Sequence, residues 1–203
     1  MTRILISGLF FRKSAWCKDF NGYCYDDIRD EDLNLSDWLK NMSSRIDQFS
    51  EVELIGHSFG GYLAQCLTAV RPEKVSKLWL ISALVSQGEG AFETYQQSGQ
   101  GDLMSICKLD LIRGRILLES PHDFQNLMGN KVTTSNSESA QLLIDPPPRS
   151  ITNISCPVNY VITEKDNLTP ASLQRQFALR LNAKPISWQG NHISPLLNSS
   201  WLK

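Results

Sequence analysis

At 203 residues, 41% hydrophobic and 20% charged, the chain has the make-up of one soluble globular domain with a sizeable core. A formal net charge of -1 excludes a general attraction to nucleic acid or anionic membrane surfaces. No run of about eighteen apolar residues marks a spanning helix. Met1-Thr2-Arg3-Ile4-Leu5-Ile6-Ser7 enters a strand too quickly for a secretory signal, so a cytoplasmic location is expected. Cys17, Cys24, Cys66, Cys107 and Cys156 are odd in number and lack C-x-x-C spacing. That argues against a disulfide framework or a zinc site, and Cys66 reads as a small apolar packer.

Ile4–Ser7 is a short strand of the buried kind. It opens into Gly8-Leu9-Phe10-Phe11-Arg12 and a helix near Ser14–Asp19, with a second strand at Tyr23–Asp27. Ser36 is a suitable N-cap for a helix over Asp37–Phe49, in which Trp38, Met42, Ile46 and Phe49 recur at helical spacing. A strand over Glu51–His57 follows, then a helix that ends before Arg71-Pro72. Further strands are expected within Val75–Ala83, at Val158–Ile162 and at Ile186–Trp188, with a helix around Ala171–Leu181. Repeated β–α alternation predicts a mostly parallel sheet of about six strands with helices on both faces.

The stretch from about Gln87 to Ser150 breaks that rhythm and reads as an insertion covering the sheet edge. Ile106, Leu109, Ile112 and Ile116 sit at helical spacing within it and predict one amphipathic helix. Pro146-Pro147-Pro148 reads as a rigid strut returning the chain to the core. For Gly129–Ala140 a disordered linker is the alternative. The chain has neither internal repeats nor a second domain.

Residues 54–61 read Leu54-Ile55-Gly56-His57-Ser58-Phe59-Gly60-Gly61, a strand running into Gly-x-Ser-x-Gly-Gly. This pattern places a serine on a sharp strand-to-helix turn and needs small residues on both sides of it. It aims the following backbone N–H groups, beginning with that of Phe59, at the same point as the hydroxyl. A serine needs a base within hydrogen-bond reach. Of the three histidines, His57 should point away from Ser58 and pack, and His122 lies in the insertion. His192, in Gly190-Asn191-His192 beyond the final strand, is the candidate base. An imidazole so used needs a carboxylate to hold its tautomer. Asp166, just after Val158–Ile162, is the candidate and Glu164 its competitor. Loops after parallel strands converge on one sheet edge, where such residues can meet.

The order Ser…Asp…His resembles the α/β-hydrolase superfamily over nearly the whole chain. The most specific stretches are Leu54–Gly61, Arg71–Val75, Glu164–Pro170 and Gly190–His192. The resemblance implies Ser58 as nucleophile, Asp166 as orienting acid and His192 as base. It implies an oxyanion hole from the N–H groups of Phe59 and Leu9. Many relatives carry His-Gly where this chain has Ser7-Gly8, and they commonly begin with an antiparallel hairpin that is missing here. The implied reaction is ester hydrolysis through an acyl-enzyme, without metal or organic cofactor.

The compact insertion is similar to that of small bacterial carboxylesterases, including pimeloyl-acyl carrier protein methyl ester esterases of biotin synthesis. That version implies an extended acyl chain and docking of an acyl carrier protein, for which Lys108, Arg113 and Arg115 form a basic cluster. Acidic residues throughout the insertion favour a solvated face for those charges. Phe92, Tyr95, Ile112 and Leu117 are the apolar candidates for a substrate pocket under the lid. An acyl thioesterase and a non-catalytic hydrolase-like binding protein are the alternative functions.

Overall fold

The computed structural model describes residues 1–25, 33–98, 103–110, 112–129 and 134–202. The far end of the predicted second strand, Asp26 and Asp27, lies outside the described residues. So do Gly99–Asp102, near the start of the insertion.

Six strands form one sheet in the order β2-β1-β3-β4-β8-β9, every neighbouring pair parallel. They are β1 (Thr2–Ile6), β2 (Tyr23–Cys24), β3 (Val52–His57), β4 (Val75–Ile81), β8 (Val158–Thr163) and β9 (Lys184–Trp188). Every residue of β3 and β8 is buried, as expected of central parallel strands covered on both faces. Glu53 is accommodated by an ion pair with Arg3 at 3.1 Å.

The helix α1 (Leu35–Ile46) buries Leu35, Trp38, Leu39, Met42 and Ile46. Its N-cap is Asn34, not Ser36: the Asn34 side chain accepts the Asp37 N–H at 2.9 Å, so the helix begins before Ser36. It also stops at Ile46, leaving Phe49 outside. The helix α2 (Phe59–Val70) is buried through its first ten residues and packs across β1, β3 and β4.

Strand alternation assigns the two faces. A Cβ on Gly56 would touch Gly61 and Ala64, so Gly56 faces α2, and Leu80 beside it does too. Trp79 therefore points to the opposite face, where Trp201 packs on it at 5.6 Å between ring centroids. On that second face the helices are short. The 3₁₀ turns Lys13–Ala15, Lys18–Phe20 and Ser194–Leu196 meet there, joined by the Cys17 N–H to the Leu196 carbonyl at 2.8 Å.

Between β4 and β8 the chain builds α3 (Ala91–Gln97), β5 (Cys107–Asp110), β6 (Arg115–Leu118), α4 (Pro121–Met128), β7 (Ser137–Ser139) and α5 (Gln141–Ile144). The last three strands form an antiparallel sheet in the order β5-β6-β7. The helix predicted from Ile106, Leu109, Ile112 and Ile116 is not formed; the segment is a hairpin. Gly114 takes a left-handed φ of 62°, and the Asp110 carboxylate accepts the Arg113 N–H at 3.0 Å, which closes a turn where the helix would have run. Ile116 and Leu118 are buried on one face of β6 while Arg115 and Leu117 point the other way. In the stretch offered as a linker, β7 is ordered strand. No helix among the described residues is long and apolar enough to cross a membrane.

Candidate active site

Ser58 sits between β3 and α2 with φ 52° and ψ -123°, a conformation that non-glycine residues rarely adopt. The surroundings enforce it. A Cβ on Gly60 would collide with the carbonyl oxygens of Ile6 and Ser7, so only glycine lets α2 begin against the end of β1. A Cβ on Gly8 would lie 3.1 Å from the Ser58 Cβ, so the loop after β1 also passes close to the serine. The first amides of α2, starting with Phe59, lie at the positive end of the helix dipole, and the Gly61 N–H returns to the Ser58 carbonyl at 2.9 Å.

His192 lies beyond β9 and is almost wholly buried. Its Nδ1 is 2.7 Å from Asp166 Oδ2, and its own carbonyl accepts the His57 Nε2–H at 3.0 Å. With Nδ1 donating to the carboxylate, the neutral ring carries its lone pair on Nε2. That nitrogen is buried and has no hydrogen-bond partner among the described residues.

Asp166 is saturated with donors. Oδ1 accepts the amides of Leu168 at 2.8 Å and Thr169 at 2.9 Å; Oδ2 accepts Thr163 Oγ1 at 2.7 Å and Gln174 Nε2 at 3.0 Å besides His192. Burial pushes its carboxyl upward, but the His192 charge and these hydrogen bonds outweigh it and hold the pKa at about 2. Glu164, the competing acid, turns outward to Arg175 at 2.7 Å and Ser187 at 2.6 Å, and it makes no contact with His192.

His57 makes no hydrogen bond to Ser58: its Nε2 is used by the His192 carbonyl, and its Nδ1 has no partner among the described residues. It is fully buried, with its ring centroid 4.8 Å from that of His192. Burial, reinforced by the neighbouring His192, lowers its pKa well below the usual histidine range. His122 is exposed on α4 beside Asp123, remote from these groups.

Ser58, His192, Leu9 and Phe59 border one cavity of about 40 Å³, closed by Leu84, Phe92, Tyr95, Leu103, Ile116 and Leu143. Ser58 and His192 share its wall without a direct hydrogen bond. Phe92 and Tyr95 are thus where a lid pocket would need them. Ile112 and Leu117 are not: Ile112 is 99% exposed at the hairpin turn, and Leu117 alternates away from the cavity. Ile116 takes that place, because the segment runs with strand alternation rather than helical period. Arg113 is solvent-exposed and 3.8 Å from Asp110, and Arg115 bonds Ser137 Oγ at 2.9 Å; neither borders the cavity. Gln174 and Thr163 escaped the sequence reading. A glutamine on a helix and a threonine at a strand end carry no local sign of a carboxylate brought to them by folding.

No curated protein sequence matches the chain significantly. Among solved structures, the chain is similar to a pyrethroid hydrolase from Sphingobium faniae JZ-2 (TM-score 0.77, 16% identity, covering 97% of this chain and 91% of that one). Polyneuridine aldehyde esterase is similar at TM-score 0.74 and 17% identity, over 99% of this chain and 95% of that one. An extracellular alpha/beta-hydrolase from a Paenibacillus species is similar at 0.70 and 14%, over 100% and 95%. At such identities the likeness establishes the fold. The sequence profile of the alpha/beta hydrolase fold family matches residues 2–106, just over half of the chain and the half that contains the elbow. With the parallel sheet, the elbow and these matches in agreement, the chain belongs to the alpha/beta hydrolase fold family.

Proposed function

We propose that the protein is a serine hydrolase of carboxylic esters, a single hydrolase domain whose insertion at about 87–150 acts as a lid. The observation that carries this reading is the buried Asp166–His192 pair, whose Nε2 has no hydrogen-bond partner among the described residues and which shares the wall of one cavity with Ser58. Ser58 attacks the ester carbonyl carbon while His192 Nε2 takes its proton. The Leu9 and Phe59 N–H groups receive the oxyanion. The protonated imidazole then hands its proton to the leaving alkoxide, and water, activated by the same nitrogen, clears the acyl-enzyme. Asp166 holds the ring with Nδ1–H toward itself and stabilises the imidazolium without taking the proton.

Among the described residues no charged side chain borders the cavity, and its lining is chiefly aliphatic and aromatic. That composition suits a short, uncharged acyl group. Two of the similar structures are named as a hydrolase and an esterase, which supports the same class. The narrower reading, a methyl ester carried on acyl carrier protein, has less behind it, because Arg113 and Arg115 stand away from the cavity. A thioester would meet the same groups.

The test is labelling by a fluorophosphonate, followed by matched oxygen-ester and thioester panels on wild type and Ser58→Ala. Labelling lost in Ser58→Ala together with ester turnover is expected. Absence of labelling in the wild type would favour a non-catalytic binding protein, and preference for the thioester panel would assign a thioesterase.

A further inference from the structure

Away from the Asp166–His192 pair, a second fully buried carboxylate lies in the insertion. Glu138, on β7, has a fully buried side chain. It accepts the Phe10 N–H at 2.6 Å and the Arg12 guanidinium at 2.8 Å. A carboxylate is kept ionised out of water only where charge and donors compensate it, so these bonds hold it in place.

They also hold Phe10. Its φ of 65° is an outlier for a bulky residue. The Phe11 N–H closes a turn on the Gly8 carbonyl at 3.0 Å, with Leu9 and Phe10 at its centre. Positive φ at the second central position is the type II pattern, in which the central peptide is flipped relative to type I. That peptide consists of the Leu9 carbonyl and the Phe10 N–H. Type II turns favour glycine at this position; here phenylalanine is forced into it, and Glu138 supplies the acceptor that the flipped N–H needs. The same part of the insertion adds two further ties: the Ser135 N–H to the Phe10 carbonyl at 2.8 Å, and a bridge between Phe11 and Thr134. The Phe10 ring is fully buried, edge-on to Phe124 of α4.

We infer that Glu138 is a positioning residue for the oxyanion hole: its bonds to the Phe10 N–H and Arg12 anchor the strained Gly8–Phe11 turn and so keep Leu9 in place at the cavity. The insertion then contributes to transition-state stabilisation as well as covering the site. Without that acceptor the turn loses a main tie to the insertion, and the strained Gly8–Phe11 loop that carries the Leu9 N–H shifts. This inference rests on the serine-hydrolase reading above, which assigns the Leu9 N–H to the oxyanion.

Glu138→Ala and Glu138→Met, neither of which can accept the Phe10 N–H, are compared with wild type by turnover of a short p-nitrophenyl ester and by affinity for an aryl boronate, which forms a tetrahedral adduct on an active-site serine. Thermal melts check that each variant is folded. The expected result is a fall in kcat of about tenfold or more, since loss of a whole donor typically removes about 10²–10³. KM should stay within about twofold and boronate affinity should fall in parallel with kcat. A variant that is folded and keeps both kcat and boronate affinity overturns the inference; so does a rise in KM alone, which would mark a merely structural strut. If Glu138→Ala does not fold, Glu138→Met decides on the same two readings. A wild type that binds boronate through Ser58 yet hydrolyses no ester would sink the esterase reading, and the boronate comparison would still decide the role of Glu138. A wild type that binds neither boronate nor fluorophosphonate overturns both.

Discussion

At the scale of single residues, Asp166 and His57 are shifted from their usual ranges by the site around them, and each makes a prediction. Asp166 is held at about 2, against 3.8 for an unperturbed aspartate. Its folded pKa is depressed, so the stability it contributes is present above about pH 4 and is lost as pH falls toward 2. The linkage amounts to roughly 2 kcal/mol. Asp166→Asn should therefore be less stable than wild type by about that amount at pH 7, and urea titrations should show the gap closing below about pH 4. Its kcat should drop by about 10³–10⁴, because the amide favours the wrong imidazole tautomer. Glu164→Gln, which disturbs only an outward ion pair, should change stability by about 0–1 kcal/mol and turnover little. If Glu164→Gln proved the more damaging of the two, the acid would have been misassigned. His57 gives the second prediction. It stays neutral in the fold while an unfolded chain protonates it below about pH 6.5, so stability falls with pH by up to about 1.4 kcal/mol per unit below that point. His57→Asn should flatten the pH dependence of the urea midpoint between pH 7 and 5. An unchanged slope would show that His57 is charged in the native state.

At the scale of elements, the elbow and the hairpin behave differently under substitution. Gly60 meets backbone oxygens, which cannot move aside as a flexible side chain would. Gly60→Ala should therefore destabilise by about 3 kcal/mol or more, or prevent folding, as read from urea melts. In the hairpin, Ile116 is buried beneath the cavity while Ile112 stands at the exposed turn. Ile116→Ala should cost about 2–4 kcal/mol and enlarge the pocket, shifting preference toward longer acyl groups. Ile112→Ala should leave stability within about 0.5 kcal/mol and leave the ester profile unchanged. A reversed pair of results would restore the helical reading of this segment.

At the scale of the whole molecule, β1, β3, β8 and β9 deliver their following loops to one sheet edge, and Phe92, Tyr95, Ile116 and Leu143 border the cavity there. A cavity of about 40 Å³ has space for only a few groups the size of a water molecule. Each methylene buried there gains about 0.8 kcal/mol, so kcat/KM should rise over the first few carbons of the acyl chain and then fall. A continued rise to long chains, measured with p-nitrophenyl esters, would mean that the lid segments part to admit them. The same panel addresses carrier docking. Arg113→Glu should leave hydrolysis of free esters unchanged, and a selective rise in KM for a carrier-linked ester would support the narrower reading.

Much of the frame was legible in the chain itself because its signals are local. A continuous apolar run followed by Gly56-His57-Ser58-Phe59-Gly60 marks a strand, a strained turn and a helix, since only glycines fit where backbones touch. Acid and histidine beyond the later strands could be proposed from chain order, because parallel strands end at a common edge. The sequence alone left Glu164 and Asp166 in competition, which the fold separated by turning one toward Arg175 and the other toward His192. It could not place Gln174 on the Asp166 carboxylate or Glu138 on the Phe10 amide. It also misjudged the hairpin, where short apolar spacing fits helix and strand alike until Gly114 and the Asp110 turn settle the path. The Glu138 bond joins positions 128 apart, and Gln174 reaches Asp166 only once the helix that carries it has docked against its strand. Their partners are chosen by desolvation: once folding removes water, each buried donor or carboxylate must find its counterpart, and only the tertiary structure decides which residue that is.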